Sequence, residues 1–306
     1  MLIASGLILA AAVSATPSPH DRSNIALSTA LVQRVGDGIW PGWSGTPFQI
    51  DLLTQSGPVL INVRKPFTPP NFPKELEATL MLNTGPIIVI GQPRFTQAAT
   101  PIRWSVTLLH EHFHQWQYSW DGYQDAVKGL GLAHGSNNGM WMLNYAFPYA
   151  DANVDAAYKR MADALATALD ALHGAGFDDA LKNYLAARDA FKALLTADDY
   201  KYFAFQCWQE GVARYTEMTV ARSAVEQHLS DPSFLTSGQA AALLEDSDGT
   251  YESVLTTLRT RPLSEDKRVN FYAIGAGEAL LLDRVAPGWR RRYLDPRMDL
   301  SLLFVR

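Results

Sequence analysis

The chain is nearly devoid of cysteine. Cys207 is its one thiol, so no disulfide can form within the chain and the fold must rest on its core. Placed between Gln206 and Trp208 in an apolar stretch, Cys207 reads as a small core residue. An excess of positive charge is also missing. Lysine and arginine number 26 against 31 acidic residues, a formal net charge of −5, which provides no basic face for nucleic acid or an anionic membrane. Repeats of fixed period and low-complexity tracts are absent. With 47% hydrophobic and 19% charged residues over 306 positions, the composition excludes disorder and allows a substantial core. A long apolar run is missing too. Residues 2–15 are apolar and small but too few to span a bilayer, which takes about 20 residues.

That run ends in Val13-Ser14-Ala15 before Thr16-Pro17-Ser18-Pro19, although no lysine or arginine precedes it. The pattern predicts a signal peptide over residues 1–15 and a secreted or periplasmic protein without a stable membrane anchor. Residues 16–306 are then expected to form a single domain.

Short apolar or alternating runs at residues 48–53, 59–63 and 87–90, broken by Gly/Pro-rich stretches, predict strands. After Pro101 the period changes. Ile102, Val106, Leu109, Phe113, Trp116 and Trp120 form a helical stripe. Further amphipathic helices are expected near residues 154–172, 177–195, 199–223 and 271–283. A β-rich first third followed by a helical remainder predicts an α+β fold.

His110-Glu111-His112-Phe113-His114 contains His-Glu-x-x-His on the first of these helices. Residues four apart share a face, so His110 and His114 can reach one ion, and Glu111 can take a proton from a water there. His112 stands about 200° around the helix from His110 and is expected to pack or hydrogen-bond instead. Glu111 and His114 also form a Glu-x-x-His, but the chain holds no second copy, which argues against a di-iron bundle.

Two histidines leave a catalytic zinc one protein ligand short. Downstream, Trp208-Gln209-Glu210-Gly211-Val212-Ala213-Arg214-Tyr215 stands on a predicted helix. Together with the first motif it resembles the gluzincin metallopeptidases, thermolysin-like and aminopeptidase-like. The resemblance implies a zincin-like catalytic domain with zinc held by His110, His114 and Glu210. Glu217, seven residues on along the same face, is the alternative ligand or a partner for an imidazole. Arg214 departs from the family, which carries an aspartate there to orient a histidine.

Tyr272-Ala273-Ile274-Gly275 is similar to the Tyr-x-x-Gly helix start of the aminopeptidase-like members, which implies that Tyr272 stabilises the oxyanion. Tyr215 and His134 are the other candidates for that role. The separation of His114 from Glu210 exceeds that of the closest families, so residues 118–195 are expected to be a helical insertion capping the cleft. Within it, Trp141, Tyr145, Phe147 and Tyr149 either line a pocket or pack a core.

The expected activity is hydrolysis of peptide bonds in a peptide or protein substrate, with residues 87–90 as the edge strand that holds it. The alternative is a catalytically silent zincin-like protein that binds metal or a partner. An intact Glu111 speaks against that alternative, since metal binding alone gains nothing from a carboxylate beside the water.

Overall fold

A computed structural model of the chain describes residues 16–65, 67–98, 100–136 and 139–304. Residues 1–15, which carry the leader expectation, lie outside the described residues. The fold is α+β, with one small mixed sheet against a larger helical body.

Four strands make up the sheet: β1 (Ile50–Thr54), β2 (Gly57–Ile61), β3 (Glu77–Leu82) and β4 (Gly85–Gly91). Their order is β2-β1-β4-β3, with β1 and β4 parallel and the outer pairs antiparallel. Alternation splits the side chains between two cores. Ile50, Leu52, Ile88 and Ile90 face the main core, whereas Leu53, Ile87 and Val89 meet Phe67, Phe72 and Leu76 on the far side.

This order corrects the expected edge. β4 is interior, because Ile87, Ile88, Val89 and Ile90 are apolar on both faces and fully buried, as a central strand requires. The strand that borders the functional cavity is β3, which the sequence reading missed. Its Glu77, Ala78, Leu80 and Met81 favour helix locally, and pairing with β4 overrides that preference.

The helical body comprises α1 (Pro19–Leu31), a single turn α2 (Asp37–Ile39), α3 (Pro101–Ser119), and the short α4 (Tyr123–Gly129) and α5 (Trp141–Asn144). It continues through α6 (Ala152–Asp170), α7 (Phe177–Lys192), α8 (Ala197–Gln206) and α9 (Val212–Ser230). α10 (Ser237–Thr260), α11 (Leu263–Asp266) and α12 (Asn270–Val285) complete it. A π-helical turn, Cys207–Gly211, joins α8 to α9.

α9 is the central helix and packs on α3, α10 and α12. α6 and α7 pack on each other, and α6 also packs on α10 and α12. The part of residues 118–195 that reaches the functional cavity is its first third, from Tyr118 to Leu143. α10 escaped the sequence reading because its buried face includes Ala240, Ser247 and Thr250 among the leucines and valines, which blurs the apolar stripe.

Asp51 is an anomaly within β1. It is fully buried, and neither carboxylate oxygen finds a hydrogen-bond partner among the described residues. Burial pushes its pKa up to about 6. A raised carboxyl pKa contributes stability that is complete below the unfolded value of about 4 and is lost as pH rises through 6. Asp51→Asn removes the charge at nearly constant shape. The variant should match the wild type at pH 4 and melt higher at pH 8, by up to about 3 kcal/mol in stability. Thermal unfolding at both pH values checks this, and a less stable variant at pH 8 would contradict it.

Candidate metal centre

α3 begins where Thr100 accepts a hydrogen bond from the Arg103 N–H, with Pro101 at the first helical position. One side of the helix, with Leu109, Phe113 and Trp116, sinks into the main core. The opposite edge presents Arg103, Thr107, His110, Glu111, His114 and Tyr118 to a cavity of about 1170 Å³. His112 points elsewhere, as its helical position requires. Its ring stacks on Phe48 at 3.5 Å between centroids and its Nε2–H donates to the Thr46 carbonyl at 3.0 Å. Burial outweighs that bond and drives its pKa down to about 3, so it stays neutral.

His110, Glu111 and His114 form a buried group whose ligand atoms lie within 4.8 Å of one another, close enough to hold a metal ion. Glu210 adds an oxygen from the π-helical turn. Its Oε2 is 3.6 Å from His110 Nε2 and 3.5 Å from His114 Nε2. Bonds of about 2.0–2.2 Å in a tetrahedron give ligand–ligand edges of about 3.3–3.6 Å. Glu210 therefore stands, from each of the two imidazoles, at the spacing a small tetrahedral ion needs.

The other ring nitrogens are fixed. His110 Nδ1 donates to Glu217 Oε1 at 2.7 Å, and His114 Nδ1 donates to Gln117 Oε1 at 2.6 Å. Gln117 in turn donates to the Gln209 carbonyl and to the Tyr293 hydroxyl, at 3.1 and 2.6 Å. With Nδ1 donating in both rings, both Nε2 atoms are left to face the cavity. Glu217 thus meets His110 at Nδ1, on the opposite side of the ring from the Nε2 that faces Glu210. It supplies the orienting carboxylate that Arg214 cannot, and Arg214 instead donates to Glu217 Oε2 at 3.1 Å, as Arg103 does at 2.6 Å.

The electrostatics follow from this arrangement. Burial opposes the charge of Glu217, but the Arg214 and Arg103 guanidiniums hold its carboxyl well below the usual range. Burial likewise opposes the charge of Glu210, and the facing His114 and His110 rings hold it well below that range. For His110, burial lowers the pKa while hydrogen bonds to Glu210 and Glu217 push it up to about 9.

Glu111 Oε2 accepts from the Thr79 hydroxyl at 2.9 Å. The same hydroxyl lies 2.7 Å from the Glu111 carbonyl, so its one proton serves either acceptor. Thr79 stands on β3 between Glu77 and Met81, and all three line the cavity. Only the alternating pattern of residues 77–82 could have revealed it.

Tyr272, near the start of α12, also lines the cavity. Burial and then the charge of Glu210 raise its phenol pKa well above the ordinary value. Tyr215 and His134 are not among the lining residues. The Tyr215 hydroxyl donates instead to Asp283 at 2.6 Å. Trp141 lines the cavity, while Tyr145, Phe147 and Tyr149 pack against Tyr202 or Phe271.

Glu210 and Tyr272 meet because two helical segments cross without side chains between them. A Cβ at Gly211 would come within 2.4 Å of Gly275 Cα, and one at Gly275 within 2.1 Å of the Cys207 carbonyl oxygen. Comparison of the chain with protein-family models, curated proteins and solved structures finds no match.

The two carboxylates are distinguishable by substitution. Glu210→Ala should abolish tight metal binding, whereas Glu217→Gln should weaken it about 10–100-fold by loosening His110. Zinc titration against a competing chelator measures both. Loss of metal in the Glu217 variant with retention in the Glu210 variant would reverse the assignment.

Proposed function

We propose that the protein is a zinc-dependent peptidase with a zincin-like, gluzincin-type catalytic domain. The observation that carries this is the buried group of His110, Glu111 and His114, with Glu210 Oε2 at 3.6 and 3.5 Å from the two Nε2 atoms. The donor set fits zinc: two neutral imidazoles and a carboxylate are a frequent catalytic ligand set, leaving a position open to the cavity. Bound zinc supplies a Lewis acid for the scissile carbonyl and acidity for the attacking water.

The residues of the chain do the rest. Glu111, steadied by Thr79, takes the proton from the attacking water and passes it to the departing amine. Tyr272 donates its hydroxyl proton to the carbonyl oxygen as charge develops there. β3 pairs with β4 on one side only, and Glu77 to Leu82 all line the cavity. Its unpaired side can hold an extended peptide by main-chain hydrogen bonds. The leader-like residues 1–15 favour an exported enzyme acting on peptides outside the cytoplasm.

Glu111→Gln should retain zinc and lose about 10²–10⁴-fold in turnover, because an amide cannot accept the proton. A peptide-library cleavage assay on zinc-loaded wild type and variant is the test. Comparable cleavage by both would remove Glu111 from the mechanism, and no cleavage by zinc-loaded wild type would remove the peptidase assignment. On a substrate found in this way, Tyr272→Phe should lower kcat about 10²–10³-fold with little change in KM. Unchanged kinetics would return Tyr272 to a packing role.

A further inference from the structure

We propose that Arg268 is a binding subsite for a substrate carboxylate, an inference that rests on the peptidase reading of the cavity. Three arginines line that cavity. Arg103 pairs with Glu217 and Asp246, and Arg214 pairs with Glu217. Arg268 alone among them has no carboxylate within ion-pair distance among the described residues. It is half-buried, donates Nη1–H to the Tyr272 hydroxyl at 2.7 Å, and sits 5.7 Å from the centroid of that ring. A guanidinium carries five N–H donors, so most of its bonding capacity is unspent.

The backbone around Arg268 runs against local preference. The residue lies in the single turn Lys267–Val269 directly before α12, at the end of that helix where a cation meets the positive pole of the dipole. Lys267 before it has φ +49°, a left-handed conformation that a lysine adopts at a cost. Such departures gather at functional sites. An anion at this place would meet the guanidinium near the positive pole of the α12 dipole.

Charge and geometry select the ligand class. The acid that acts on Arg268 electrostatically is Glu210, which faces His110 and His114 and whose charge a bound divalent ion would offset. A planar fork of N–H groups matches a carboxylate with two parallel hydrogen bonds. Because Arg268 bonds the Tyr272 hydroxyl, a carboxylate on Arg268 would lie next to the reacting carbonyl, within a residue or so of the scissile bond. The carboxylate is either the free carboxyl terminus of a short peptide or the side chain of an aspartate or glutamate.

Three thiol probes that anchor on zinc separate these sources: mercaptoacetyl-leucine, its primary amide, and mercaptoacetyl-glutamic acid α-amide. Calorimetry with the full zinc-loaded chain should show one or both acids binding at least tenfold more tightly than leucine amide. Whichever acid gains identifies the source. Arg268→Gln should erase the gap while zinc content and affinity for leucine amide stay constant. Equal binding of all three probes by the wild type would overturn the subsite. An equal weakening of all three in the variant would overturn it too, since Arg268 would then act only through Tyr272. A chain that takes up no zinc overturns the peptidase reading and this subsite with it, and metal analysis separates that failure from an unselective Arg268.

Discussion

Everything at the candidate metal centre depends on how closely the π-helical turn before α9 approaches α12. Gly211 rests on Gly275, and Gly275 rests on the backbone of Cys207, at distances no Cβ could occupy. This contact brings Glu210, one residue before Gly211, opposite the histidines of α3. It also brings Tyr272, one helical turn before Gly275, to the same point. The Glu-Gly and Tyr-x-x-Gly pairs are therefore two halves of one packing contact, with a functional side chain carried on each half. Side chains at the crossing would separate the helices by several ångströms, and the tetrahedral spacing tolerates far less.

A second constraint acts through charge. Glu217 is almost wholly buried, and an ionised carboxylate there is costly unless it is paired. Two guanidiniums and the His110 Nδ1–H pair it, drawing α3 and α9 together around one acid. The arrangement does more for orientation than for stability. It fixes the tautomer and the plane of His110, so that the ring joins two acids, one on each nitrogen. His114 is held by a neutral group, the Gln117 amide, which is itself fixed by the Gln209 carbonyl and Tyr293.

The sequence made the helical half of this site readable because its signals are local. His110, Glu111 and His114 lie within five consecutive residues, and helical geometry alone places the two imidazoles together. The turn of His112 away from the cavity followed from the same periodicity. Glu210 and Glu217 could not be separated by spacing, since seven residues along a regular helix return to the same face and nothing in the sequence marks the π-helical turn at Glu210. Their different roles come from which nitrogen of His110 each one meets, a fact of tertiary structure. β3 and its Thr79 were hidden because the composition of residues 77–82 favours helix and only the pairing with β4 makes them a strand. Arg268 gave no signal in sequence either. Its lack of an acidic partner appears only when Arg103 and Arg214 are seen with theirs.

The turn Cys207–Gly211 carries a chemical role and also works as a phase shifter. Upstream of it, Tyr202, Phe203 and Phe205 commit α8 to an aromatic core, and downstream Glu217 commits α9 to Arg103 and His110 of α3. Both commitments cannot be met by one uninterrupted rod in its normal register, and the wider turn absorbs the mismatch with a single surplus residue. Deleting one residue there would let the rod heal into regular helix, relieving local strain. It would also turn one half about 100° against the other. The healed chain would gain a better helix and point Glu210 away from the histidines.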